Sequence, residues 1–226
     1  MLTVDIWSDV VCPFCYMGKR RFEKALAGFE HRDEVGVTWH SFQLDPDARY
    51  RPGQTVHQYL ADRKGVSVVT SRRLHERLVA EAAELGLRYD FDAALIANTF
   101  DAHRLTHMAR ALGRQSAVEE ALFAAYFSHG KNIEDHDVLA ALAGESGIDA
   151  TEAAAALATD RYAQEVRADI EEARRLGADG VPFYVFNRAY AVSGAQPPEV
   201  FLEVLNGVHA EGEPAASKAA GPAAEG

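Results

Sequence analysis

The sequence predicts an α/β fold in which a mixed four-stranded sheet, flanked by helices, is split by an inserted all-helical block. Three observations lead there. Residues 1–50 read as strand, helix, strand; residues 51–177 turn Ala- and Leu-rich with helical caps and almost no strand pattern; residues 178–210 return to strand, strand, helix. The expected division is therefore a discontinuous α/β domain of 1–50 and 178–210, a helical domain of 51–177, and a disordered tail of 211–226. That tail of Ala, Gly, Pro, Glu and Ser offers no apolar anchor larger than Ala, so it cannot offset its ordering entropy.

Taken in order, Leu2 to Trp7 alternate as a half-buried strand, and Tyr16 to Phe29 place Met17, Phe22, Ala25, Leu26 and Phe29 at helical spacing among basic residues. Val35 to Leu44 is β-branched and aromatic and ends at the Asp45-Pro46 breaker, which completes a β-α-β unit with an expected parallel pairing. In the helical block, Thr55 to Gln58 and Ser116 to Glu119 fit the capping-box spacing, and Ser71, Asp135 and Thr151 are expected as N-caps. Ala93 to Leu112 reads as one helix carrying Asn98, His103 and Arg104. Phe183 to Phe186 and Tyr190 to Val192 flank Asn187-Arg188 as a hairpin, and Pro197-Pro198 opens a last helix to about Val208.

With 226 residues and 48% hydrophobic content the chain can bury a core without covalent staples. A formal charge of −11 argues against nucleic acid and anionic membrane surfaces, both of which reward a basic face. No basic leader, apolar signal core or membrane-spanning run is visible, so a cytoplasmic address is expected.

The 2 cysteines of the chain sit together in Cys12-Pro13-Phe14-Cys15, directly behind the first strand. Thiols spaced i, i+3 at a helix start can close a short-loop disulfide, and a helix N-terminus favours a thiolate. Pro13 suits the first turn because the N–H it lacks would have no partner there. Two cysteines cannot form the disulfide framework of a small secreted domain, so dithiol chemistry leads.

Asp9-Val10-Val11-Cys12-Pro13-Phe14-Cys15-Tyr16-Met17-Gly18, then Asn98-Thr99 with Ala102-His103-Arg104-Leu105, then Gly180-Val181-Pro182-Phe183 with Ser193-Gly194-Ala195-Gln196 together resemble the DsbA-like thioredoxin-fold oxidoreductases, and within them the cytoplasmic FrnE-like branch. The resemblance implies a thioredoxin fold with a helical insertion and dithiol-disulfide oxidoreductase or isomerase activity. It makes Cys12 the exposed nucleophile, Cys15 the buried resolving thiol, and Pro182 a cis proline whose neighbour Val181 lines the substrate groove. The implied partners are disulfide-bearing proteins or small molecules, with glutathione or a thioredoxin-type reductant as redox partner and no bound cofactor. In the periplasmic oxidants of that superfamily a His stands where Phe14 stands here. Phe14 has neither charge nor donor, so the couple is expected to be less oxidising.

Trp7, Asn98 and His103 are candidates for substrate or lid contacts, each weighed against a purely structural role. Asp9 reads as a turn residue ahead of Cys12. His129, Glu134 and His136 could invite a metal with the thiols, but a closed zinc site needs four converging ligands and only one C-x-x-C exists, so no metal is expected. Two rival functions stay open: a glutathione-dependent isomerase or transferase of the kappa or hydroxychromene-carboxylate type, which uses one nucleophile, and a redox-inert peptide holdase. Cys15 discriminates against the first, since a resolving thiol has no role in a one-nucleophile mechanism.

Overall fold

β1 (Leu2–Ser8), α1 (Pro13–Gly28) and β2 (Val35–Ser41) form the expected opening unit, with β1 and β2 parallel. The computed structural model describes residues 1–212 of the chain. β1 also pairs antiparallel with β3 (Phe183–Phe186), which pairs antiparallel with β4 (Tyr190–Ser193), giving one four-stranded mixed sheet in the order β2-β1-β3-β4. The β3–β4 hairpin turns on Asn187 and Arg188, both at positive φ, and the Asn187 carboxamide accepts from the Thr3 N–H at 2.8 Å, which ties the turn to β1.

Alternation along the strands sorts the two faces. Val4 and Ile6 of β1, with Trp39, Tyr184 and Phe186, meet Phe22 and Ala25 of α1, Phe29 at its C-cap, and Phe201, Leu205 and Val208 of α9 (Pro198–Gly212). Trp7, Phe183 and Val185 face the other way, against Ala173 of α8 (Ala163–Arg175). The free edge of β2 is met by side chains: Gln115 donates to the Trp39 carbonyl at 2.8 Å and accepts from its N–H at 3.1 Å, and Asp169 accepts from the Ser41 N–H at 2.8 Å, the role a further strand would play.

Between β2 and α8 lie α2 (Val56–Lys64), α3 (Val68–Glu84), α4 (Phe100–Ala111), α5 (Gln115–Phe127), α6 (His136–Glu145) and α7 (Ala150–Leu157). The core between α1, α9 and the sheet draws only on residues of the expected α/β domain, while the start of α1 joins the core of the helical block. Cys12, Cys15, Tyr16 and Met17 share one apolar cluster with Leu105, Phe123, Phe127 and Leu142 of the helical block, and α8 packs directly on β2.

The capping box of Thr55 and Gln58 and the Asp135 cap stand as expected. Three other caps do not. α3 is capped by Ser67, while Ser71 is buried inside it; α7 is capped by Asp149, whose carboxylate accepts from the Thr151 and Glu152 N–H groups; α5 begins at Gln115 with no side-chain cap, so Ser116 and Glu119 form no box. The expected helix from Ala93 starts only at Phe100. Residues 94–99 run irregularly because Asn98 satisfies the local backbone instead, its carboxamide donating to Pro46 O at 2.7 Å and accepting from the Phe100 N–H at 2.9 Å. α9 runs past Val208 to Gly212, so residues 211 and 212, expected in the tail, are helical; the rest of that tail lies outside the described residues.

Candidate functional site

The thiols sit where β1 gives way to α1. Cys12 is the N-cap, with extended φ and ψ, and Pro13 takes the first helical position, so the chain turns into the helix at the first sulfur. Asp9 sets the turn by accepting the Cys12 N–H at 2.9 Å, and its carboxylate reaches across to accept the Leu44 N–H at 2.7 Å, which fastens the segment after β2 beside the pair. Asp9 thus fills the turn role read from the sequence.

The opposite wall comes from 169 residues downstream, where the Cys12 Sγ lies 3.5 Å from the Val181 carbonyl. The Val181-Pro182 peptide is cis, as the resemblance implied. Pro182 is itself anchored, its carbonyl accepting from the Gly194 N–H at 2.8 Å. Phe14 is 46% exposed and forms an apolar lip beside the pair.

One expectation needs correction. Cys12 is not exposed: it is 3% accessible, and Cys15 is fully buried. Val11 and Val181 pack against the cluster that holds both thiols, and Tyr89 from the helical block donates its hydroxyl to the Pro13 carbonyl at 2.6 Å. Burial and the neighbouring Cys12 push the Cys15 thiol well above the ordinary cysteine range, opposed by the Asp9 backbone and the Ser8 hydroxyl.

The candidates for substrate contact are engaged in internal contacts instead. Trp7 is 1% exposed, stacks on His40 at 4.5 Å, and donates its indole N–H to the Asp169 carbonyl at 3.0 Å, so it is core rather than rim. Asn98 is spent on the 46–48 backbone, and His103, buried on α4, faces Asp9 at 3.4 Å. The residues considered for a metal with the thiols are also engaged apart from them: His136 pairs with Asp101 at 2.7 Å, and Glu134 accepts from the Tyr50 N–H at 3.1 Å.

Several residues that bear on the site carry no local signature. Ser8 Oγ, Asp9 Oδ1, His103 Nε2 and Tyr184 Oη are buried polar atoms without a well-aligned hydrogen bond; Asp9 Oδ1 and His103 Nε2 face each other at 3.4 Å. Burial pushes the carboxyl of Glu119 up to about 7, held from rising further by His103 and Lys19; burial pulls His103 down, but Asp9 and Glu119 outweigh it and leave a net upward shift. Tyr16 stacks on Phe123 at 4.8 Å and donates to Glu120 at 2.6 Å. Burial opposes ionisation of Glu120, but Arg20, Lys19 and Tyr16 hold its carboxyl down at about 2, which clamps α1 to α5.

Gly18 had a visible signal in its place inside a helix. A Cβ there would lie 2.6 Å from the Tyr184 hydroxyl and 2.9 Å from Pro182 Cγ, so glycine sets how closely α1 approaches the wall that faces Cys12. Gly18→Ala is expected to destabilise the protein by about 1–3 kcal/mol, since Pro182 and the buried tyrosine have little room to yield. Urea unfolding measures it, and an unchanged midpoint would refute the contact.

Comparison with known proteins agrees with this geometry. The profile of the DSBA-like thioredoxin domain matches residues 3–206. The crystal structure of a probable DsbA oxidoreductase from Streptomyces coelicolor superposes with a TM-score of 0.89 at 44% identity, covering 100% of both chains. The uncharacterized protein YwbO of Bacillus subtilis is 27% identical over 205 residues, 90% of this chain and 95% of its own. The cytosolic disulfide reductase DsbM of Pseudomonas aeruginosa, solved with glutathione, shares the fold at a TM-score of 0.65 and 19% identity, over 91% of this chain and 98% of that one. With the strand order, the paired thiols and the facing proline on one sheet end, this chain belongs to the DSBA-like thioredoxin domain family.

Proposed function

We propose that the protein is a dithiol-disulfide oxidoreductase or isomerase of the FrnE-like type, working through Cys12 as nucleophile and Cys15 as resolving thiol. The observation that carries this reading is the pairing of an N-cap thiol with a second thiol one turn on, under the Val181 carbonyl. A substrate strand that hydrogen-bonds to the Val181 backbone takes over the partner of the Cys12 sulfur and frees it for attack. The Cys12 thiolate then breaks the substrate disulfide, one substrate sulfur leaving as a thiolate that picks up a proton from water while the other stays joined to Cys12. Cys15 attacks the Cys12 sulfur, releases the second substrate thiol and closes the Cys12-Cys15 disulfide.

Cys15 must lose its proton for that step, and burial makes it a reluctant acid. The Ser8 hydroxyl and Asp9 carboxylate beside it, continued by His103 and Glu119, form a buried polar path that can accept the proton. Electrons return from an external thiol. Glutathione suits this role, consistent with the related fold of DsbM solved with that tripeptide, and a cytoplasmic setting would keep the pair reduced and poised for reduction or isomerisation. Among the described residues no helix is long and apolar enough to cross a membrane.

Mixed-disulfide capture tests the assignment. Cys15→Ser protein incubated with oxidised insulin or glutathione disulfide is expected to accumulate a covalent adduct at Cys12, visible by intact mass and removed by dithiothreitol. Cys12→Ser should accumulate none. An adduct at Cys15 alone, or none in either variant, would sink the mechanism.

A further inference from the structure

A cluster at the opposite end of α1 from the thiols has no part in the chemistry above. His31 follows α1, Glu34 lies in the short helical turn before β2, and His209 belongs to the last turns of α9. Their ligand atoms all fall within 4.8 Å of one another. The two imidazoles stack at 3.9 Å with 13° between planes, and the buried Phe29 ring meets both of them edge-on at 5.7 Å. One carboxylate faces both rings: Glu34 Oε1 lies 3.5 Å from His31 Nδ1, and Oε2 lies 3.8 Å from His209 Nε2.

Those two separations are long for hydrogen bonds. They are close to what a shared cation requires: ligands bound about 2.1 Å from a tetrahedral metal stand about 3.4 Å apart. We propose that His31, Glu34 and His209 form a divalent transition-metal site of the zinc class. Two imidazoles and one carboxylate suit zinc, cobalt or nickel rather than magnesium or calcium, which prefer oxygen ligands throughout. The sequence hides the site because its ligands come from both ends of the chain.

Geometry also fixes what binding must do. Lone pairs of two parallel rings lie in their own planes and do not converge, so one ring has to leave the stack. His31 is 38% exposed against 17% for His209, so His31 is the ring that turns. The bound ion then joins the α1–β2 connection to α9, a clamp on the C-terminal helix. A second group, His40, Asp169 and Glu172, also converges, but His40 is held between two carboxylates that raise it to about 9, and a protonated imidazole has no lone pair to give.

The test uses untagged protein carrying Cys12→Ser and Cys15→Ser, so that the thiols cannot take up metal and the outcome does not depend on the redox assignment. Titration with zinc chloride by calorimetry should show saturable uptake of a single equivalent and a raised thermal midpoint. His31→Ala and Glu34→Gln, both at exposed positions, should each weaken it at least about tenfold and remove the thermal shift; His209→Ala should do the same. No saturable uptake in the parent, or an affinity that His31→Ala and Glu34→Gln leave unchanged, overturns the site.

Discussion

Substituting Cys12 with Ser is expected to lower insulin-reduction turnover by more than about a thousandfold, because a hydroxyl at neutral pH neither ionises nor attacks sulfur as a thiolate does. Cys15→Ser should fall comparably for a different reason: Cys12 still attacks, but its mixed disulfide sits in a buried pocket that external thiols reach slowly. The pattern separates the three functions still consistent with the fold. A single-nucleophile glutathione enzyme would survive loss of Cys15, and a peptide holdase would be indifferent to both changes. Turnover retained in Cys15→Ser would therefore move the protein out of dithiol chemistry while leaving its fold assignment intact.

The second large effect concerns stability. Asp169 on α8 is the anchor between the helical block and the sheet: Oδ1 meets His40 Nδ1 at 2.8 Å, while Oδ2 accepts from the Ser41 N–H at 2.8 Å and faces His107 Nε2 at 2.9 Å. Asp5 closes the other side of His40 at 2.8 Å. Burial alone would lower the pKa of His40, but these two carboxylates raise it to about 9, so a buried imidazolium rests between two buried anions. Asp169→Ala removes one of them and is expected to cost about 3–5 kcal/mol, as when one partner of a buried ionic group is deleted.

The pH dependence gives the cause a signature. With His40 raised from 6.5 when unfolded to about 9 when folded, its contribution is fully present below 6.5 and is lost as pH rises through 9. Asp169 is shifted down, so its own contribution is present above 3.8 and is lost as the solution becomes more acidic. The deficit of Asp169→Ala against the parent should thus be greatest between 3.8 and 6.5 and shrink as pH rises from 6.5 through about 9. Urea unfolding across that range checks it, and a deficit independent of pH would point to lost packing instead.

The elements that local pattern specifies were legible. β1, β2 and the last hairpin follow from strand pattern and turn residues, α1 from its helical spacing, and Thr55 with Gln58 announces α2 through a local capping box. What misled was the apolar stretch before Phe100. Ala94, Ile96 and Ala97 are all buried, so their composition looks helical although no helical face is being formed. The same limit applies at the site. The thiol pair, Phe14 and Pro182 stand out in sequence, but the accessibility of Cys12 depends on Tyr89 and Val181, and the link between His40 and Asp169 spans 129 residues. Contacts of that range leave no trace in spacing.

The strand order has one more implication. β1 and β3 are neighbours, with Trp7 opposite Phe183, yet the ribosome delivers the first of them long before the second. Cys12 and Cys15 therefore emerge without the wall that will shelter them, and most of the chain must be made before Val181 arrives to close over the sulfur. A nascent chain stalled inside the helical block would carry two uncovered thiols. The surroundings in which translation occurs, and not only those around the folded protein, therefore act on the redox state of the pair.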